Sequence, residues 1–296
     1  MLYYGEKEDH PEKMLPIQLP QSWKPLSPDY SDLMPVVFLH GMGDSGSNPG
    51  MQSLCQTARD AYPGLYVVCA NVANGLASVT TPISSQVDEL SQLVKADPRL
   101  AHGFNAVGLS QGGLVLRGYV ESVNKPPVFR LITICAPHEG IGSCPTVYHL
   151  VCPLWRLAPY TAGLAFADYW KDASDRPTYI ERSRWLADIN NERPVKNAKY
   201  VANMLQLERY VLVEATRDET VVPHASESHG FYAWGTTPGA NGPVLRLRET
   251  EGYREDHIGL LTLDRTHRIF EHTFEGTHLR FASEFWAHTV LPHIGP

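Results

Sequence analysis

The chain has 296 residues, of which 43% are hydrophobic and 19% charged, so it can bury a sizeable core and is not disordered. Its formal net charge of −7 gives no electrostatic reason to expect nucleic acid. No apolar run reaches the roughly 18 residues needed to span a bilayer, and Met1 to Leu33 lacks the apolar stretch of about 7–15 residues that marks a secretory signal.

Residues 1–34 are polar and contain several prolines, which predicts an extended arm leading into a single domain over 35–296. Val36–Leu39 reads as the first strand and runs into His40-Gly41-Met42-Gly43. Helical spacing follows over Met51–Ala61, then an apolar strand over Leu65–Cys69 and a second helix over Ile83–Lys95. Further strands are expected at Asn105–Leu109, Arg130–Cys135, Tyr210–Ala215 and Arg268–Phe274. Strands alternating with helices predict an α/β fold with a mainly parallel, doubly wound sheet. The span 139–205 is far longer than a crossover needs and is expected to hold a helical, lid-like insertion.

Five cysteines leave at least one free or paired between chains. Cys144 and Cys152 flank a short loop-like stretch and could pair or remain free thiols. Cys69 and Cys135 lie in the apolar runs "YVVCA" and "LITICA" and read as small core residues. C-x-x-C is absent, so a zinc ribbon is not expected; separately, no metal and no cofactor are expected.

The stretch "NAVGLSQGGLV" joins a strand to a helix through Gly108-Leu109-Ser110-Gln111-Gly112. This is the G-x-S-x-G elbow, a tight turn that presents a serine hydroxyl clear of the sheet. A nucleophilic serine needs a base, and the base needs an orienting acid, in the chain order Ser, Asp or Glu, His for doubly wound hydrolases. Asp218 follows the strand Tyr210–Ala215, with Glu219 as its nearest rival, and His278 follows the strand Arg268–Phe274. Glu214 and His272 lie inside strands, and His288 and His293 lie in the terminal helix and tail. The oxyanion of acyl transfer needs backbone donors: the Gln111 N–H, next to the serine, and the Met42 N–H, in the loop after the first strand. A phosphate loop is excluded because no Lys-Ser/Thr follows the glycines.

Beyond the elbow, "FLHGMGDS", "GFNAVGLSQGG", "ADYWKD", "WLADINNER", "HGFYAWG" and "EGTHL" resemble the palmitoyl-protein thioesterases, α/β-hydrolases, over nearly the whole folded chain. The resemblance implies a catalytic triad of Ser110, Asp218 and His278, with Met42 and Gln111 as oxyanion donors. It implies removal of long-chain fatty acyl groups from cysteine in S-acylated proteins or peptides, in a lysosomal or secreted setting. It also implies a Cys144–Cys152 disulfide and leaves Cys55 without a family partner. The chain departs from the family in lacking several further cysteines and any N-x-[ST] sequon. The aromatic residues from Tyr148 to Trp185, Phe166 and Trp185 foremost, could line an acyl groove or form a satellite core. A lipase or carboxylesterase with the same machinery, and a non-catalytic binding module, are the competing functions. Oligomeric state is not legible in the sequence.

Overall fold

The structure, a computed structural model, describes residues 14–21, 33–143, 160, 163–237 and 242–295. Its centre is a parallel sheet of six strands in the order β2-β1-β3-β4-β5-β8. The strands are β1 (Val36–Leu39), β2 (Val67–Ala70), β3 (Phe104–Leu109), β4 (Val128–Ile134), β5 (Arg209–Ala215) and β8 (Ile269–Phe274). All six were expected as strands; the edge strand β8 carries Glu271, His272 and Thr273 and is partly exposed, so it is the least apolar of them. A parallel sheet covered on both faces buries every position, so its strands need not alternate with polar residues. Accordingly Val37, Leu39, Ala106, Leu131 and Leu212 feed one core, while Val36, Phe38, Val107, Ile132, Val211 and Val213 feed the other.

Helix α1 (Pro49–Ala61) covers the second face through Met51, Leu54, Cys55 and Ala58. It is joined there by the C-terminal segment, whose Trp286 lies against Phe38 and donates its indole N–H to Thr57 Oγ1 at 2.9 Å. The short helix α2 (Leu76–Thr80) leads into α3 (Ile83–Ala96), which with α4 (Gln111–Ser122) covers the first face. Helices on both faces make this a doubly wound α/β sheet of the α/β-hydrolase class. Chain order reverses at β1, which lies between β2 and β3, and ligands of such sheets bind outside the carboxyl ends at that reversal.

Between β4 and β5 the described helices are short: α5 (Ala165–Asp168), α6 (Arg176–Arg182), α7 (Leu186–Ile189) and α8 (Ala198–Met204). A bridge joins Ile141 to the segment around Trp170, with Ile141 N–H donating to Tyr169 C=O and Lys171 N–H donating to Ile141 C=O. A two-stranded ribbon, β6 (Phe231–Tyr232) and β7 (Val244–Leu245), was not foreseen because each strand is too short to show a period. Ahead of β1, Met14 and Ile17 are buried in the α1 core. Their N–H groups donate to Asp44 Oδ2 and Ser53 Oγ.

Two cysteine expectations change. Cys69 is not a solitary core residue, and Cys55 does have a partner: the two form a disulfide between β2 and α1. Phe38 of β1 pairs in register with Cys69, and Phe38 belongs to the α1 core, so Cys69 points at the helix face that carries Cys55. Cys135 is free and buried. Cys144 and Cys152 lie outside the described residues.

Candidate active site

Ser110 joins β3 to α4 with φ 51° and ψ −126°, a conformation that side chains avoid unless the surroundings impose it. The imposition comes from close packing. A Cβ on Gly108 would lie 2.5 Å from Gly113 Cα, and one on Gly112 would lie 2.4 Å from the His40 carbonyl oxygen. Only glycine lets the elbow and the β1 loop cross at that separation. The Ser110 N–H donates to Ile134 C=O at 2.8 Å, which ties the turn to the end of β4.

The loops after β5 and β8 bring the other two groups to this point. His278 Nε2 lies 2.9 Å from Ser110 Oγ, and His278 Nδ1 lies 2.5 Å from Asp218 Oδ2. Asp218 Oδ1 accepts the N–H groups of Thr220 (2.7 Å) and Val221 (2.9 Å), so both of its oxygens are fixed. Burial alone would raise the Asp218 carboxyl, but the charge and hydrogen bond of His278 outweigh it and hold Asp218 below the usual carboxylate range. An ionised Asp218 holds the proton on Nδ1 and leaves the Nε2 lone pair facing the serine, the arrangement that lets imidazole take a proton from a hydroxyl.

The alternative acids and bases are either engaged elsewhere or exposed. Glu219 is exposed. Glu214 is buried with His224 (2.7 Å) and Arg246 (2.8 Å). His272 and His293 meet through their Nε2 atoms at 2.9 Å, and His288 is exposed.

Gly41 brings the loop after β1 against the nucleophile: a Cβ there would lie 3.1 Å from Ser110 Cβ. The next residue is Met42, and Gln111 opens α4. Neither backbone N–H has a partner among the described residues, and the α4 N-terminus adds its dipole on the same side. Both are available to an oxyanion. The Gln111 side chain is anchored, its Nε2 donating to Ser78 C=O (2.8 Å) and Gln86 Oε1 (3.2 Å). Its Oε1 accepts from the Tyr169 hydroxyl at 3.0 Å, and that hydroxyl also lies 3.8 Å from Met42 Sδ. Tyr169 thus touches both donor-bearing residues. The sequence offered it only as one aromatic among several.

Trp185 lies half-buried against Gly118 of α4 and Val87 of α3, two turns of α4 away from Ser110. Phe166 is also half-buried and packs on the same core. Trp155, another aromatic of this stretch, lies outside the described residues.

The motif "LADINNER" is a clasp. Asn190 Oδ1 accepts from the buried Arg117 of α4 at 2.7 Å, and Asn191 Nδ2 donates to His257 C=O at 2.8 Å. Glu192 shares the buried Lys171 with Glu139, at 2.7 and 2.6 Å. Burial would raise Glu139, but Lys171 and His229 hold it down to about 2. His138 and His229 stack at 4.5 Å, and burial pushes both below the usual histidine range, His229 to about 4.

Sequence reasoning also missed Glu227, which is fully buried beside Asp218. Cys135, Asp218, Glu227 and His278 bring one atom each within 4.8 Å of one another. Asp218 and His278 are committed to the serine relay, so this group is not a ready metal site. Glu251, Glu255 and His257 also converge, but Arg176 occupies Glu251 at 2.6 Å and Lys196 Nζ stands 3.3 Å from His257 Nε2. Those cations oppose a divalent ion there.

The family model for palmitoyl protein thioesterases matches residues 35–278. Palmitoyl-protein thioesterase 3 of Dictyostelium discoideum is 38% identical over 271 residues, 88% of this chain and 92% of that protein. Palmitoyl-protein thioesterase 1 of Caenorhabditis elegans is 34% identical over 274 residues, 87% of this chain and 90% of that protein. Lysosomal thioesterase PPT2 of Rattus norvegicus is 28% identical over 259 residues, 84% of this chain and 82% of that protein. With a family model spanning most of its length and relatives above 30% identity along nearly all of it, the chain belongs to the palmitoyl protein thioesterase family.

Proposed function

We propose that this chain is a serine thioesterase that removes long-chain fatty acyl groups from cysteines of S-acylated proteins or peptides. The observation that carries the reading is the Ser110–His278–Asp218 relay, with contacts of 2.9 and 2.5 Å at the carboxyl edge of the sheet. His278 takes the Ser110 proton as Oγ attacks the thioester carbonyl, and the N–H groups of Met42 and Gln111 receive the oxyanion. Collapse expels the cysteine thiolate, which takes the proton from His278 and leaves as the thiol, so the imidazole is neutral again. A thiol has a pKa of roughly 8.5, so its thiolate departs with little help from an acid. His278 then activates water to hydrolyse the acyl-enzyme and returns the proton to Ser110.

The catalytic unit proposed is residues 35–296 with the span 139–205 inserted, preceded by the 1–34 arm. The buried contacts of Met14 and Ile17 support an arm that docks on α1. Among the described residues no helix is long and apolar enough to cross a membrane. The names of the lysosomal relatives support a lysosomal or secreted setting.

Turnover of an S-palmitoyl peptide tests the reading, with the oxygen-ester analogue run in competition. Ser110→Ala should abolish thioester turnover while leaving the far-UV and thermal signatures of the fold in place. Preference for the oxygen ester by wild-type protein would put the carboxylesterase in its place.

A further inference from the structure

We propose that Glu227 is a positioning residue of the relay, carried as the neutral carboxylic acid with its O–H directed at Asp218. The proposal rests on Ser110, His278 and Asp218 acting as the catalytic triad.

Glu227 lies on the single turn His224–Ser228 that follows the Asp218 loop, and its side chain is wholly buried. Its Oε2 accepts the N–H of Ala215, the last residue of β5, at 2.8 Å. Its Oε1 is buried and accepts no hydrogen bond, while the Asp218 carboxyl lies within 4.8 Å of the Glu227 carboxyl. The groups that face it are Asp218, Cys135 at the end of β4, His278 after β8, and Glu214 of β5. Glu214 is itself paired with Arg246 and hydrogen-bonded to His224.

Two carboxyl groups facing each other, with one imidazole that Asp218 alone engages, cannot both ionise in a dry site. The hydrogen bonds decide which one keeps the proton. Asp218 accepts from His278 Nδ1, Thr220 N–H and Val221 N–H, three donors that favour its anion. Glu227 accepts one. Burial, then the charge of Asp218, pushes the Glu227 carboxyl well above the usual range, in agreement with that assignment. The Cys135 thiol is pushed up in the same way, by burial first, so it too stays protonated. The proton of Glu227 therefore sits on the unpartnered Oε1, where the acceptor facing it is the Asp218 carboxylate. That contact holds Asp218 in the plane that His278 Nδ1 requires, and it removes the repulsion an anionic Glu227 would exert on Asp218.

The test compares Glu227→Gln, which keeps shape and a donor, with Glu227→Met, which keeps shape alone. Wild-type protein is first labelled with a fluorophosphonate. Label absent from Ser110 would end the triad reading, whereas label on Ser110 isolates the Glu227 question. With Ser110 labelled, Glu227→Met should lower kcat by roughly tenfold or more at unchanged KM, and Glu227→Gln should restore most of it. The acid limb of kcat/KM against pH should lie at the same place in Glu227→Gln and wild type, because a neutral group has replaced a neutral group. An acid limb displaced to lower pH in Glu227→Gln would mean that an anion had been removed and would overturn the proposal. So would a folded Glu227→Met with wild-type kcat. Should Glu227→Met fail to fold, the position of the Glu227→Gln acid limb decides the matter alone.

Discussion

Replacing Asp218 by asparagine tests the relay at the point where the structure is most specific about the outcome. Asparagine has one acceptor and one donor end, so the question is which end faces His278. Asp218 Oδ1 accepts two buried N–H groups, from Thr220 and Val221. Turning the amide nitrogen toward them would strand both donors, at about 1–3 kcal/mol each. The amide oxygen therefore stays on the loop and the NH2 group faces His278 Nδ1. A donor at that place forces Nδ1 to accept, which moves the imidazole proton to Nε2, toward Ser110. Histidine so protonated cannot take the serine proton. The expected loss is about 10⁴-fold in kcat, equivalent to about 5.5 kcal/mol of transition-state stabilisation. Stopped-flow hydrolysis of a palmitoyl thioester reads kcat, and thermal denaturation checks that the fold survives. A kcat within roughly tenfold of wild type in a folded Asp218→Asn protein would refute the tautomer argument.

Tyr169→Phe removes the hydroxyl that holds Gln111 Oε1 and lies against Met42; kcat should fall several-fold with KM little changed, and equal fractional losses in short and long acyl thioesters would locate the effect at the oxyanion donors. Trp185→Ala should lower stability by about 3 kcal/mol by opening a hole against Gly118 and Val87, and, with Trp185 proposed to line the acyl groove, the kcat/KM ratio of long to short acyl thioesters should flatten in the surviving folded protein; an unchanged ratio would leave Trp185 in the satellite core. Stability should fall on acidification from pH 6.5, because His229 is held to about 4 in the fold and the unfolded chain takes up its proton first. That contribution is complete above pH 6.5 and is lost as pH falls through 4, a total of about 3 kcal/mol at about 1.4 kcal/mol per pH unit. Urea unfolding of His229→Gln across this window should show a slope shallower by close to one proton, and an unchanged slope would contradict a neutral buried His229.

The six strands and the three members of the relay were legible because each is marked by a local signal. Buried parallel strands such as β3 and β5 are mainly apolar runs, β8 keeps Ile269, Phe270 and Phe274 at the sheet edge, and Ser110, Asp218 and His278 each sit a few residues past one of these three strands. Glycine marked the elbow because a backbone crossing leaves no room for Cβ, and that exclusion is visible in one sequence. The Cys55–Cys69 bond had a weaker signal that went unused. Positions 51, 54, 55 and 58 of α1 share a face, and positions 67 and 69 of β2 share a face, so two facing cysteines follow once α1 is placed over β2.

Glu227 had no such signal. It lies in "HASESHG", a polar stretch that reads as solvated loop, and nothing local distinguishes it from exposed Glu219. Its environment is set largely by segments distant in sequence: the end of β4 and the His278 loop close over it together with the neighbouring Asp218 loop. A catalytic side chain announces itself by its place relative to a strand end, which is a short-range property of the chain. A side chain that acts through another is recognised by what it lacks in the folded state, here a buried carboxyl oxygen with one possible acceptor and no cation. That distinction explains why the relay could be named from the sequence while the group that fixes its charge required the packing of three loops.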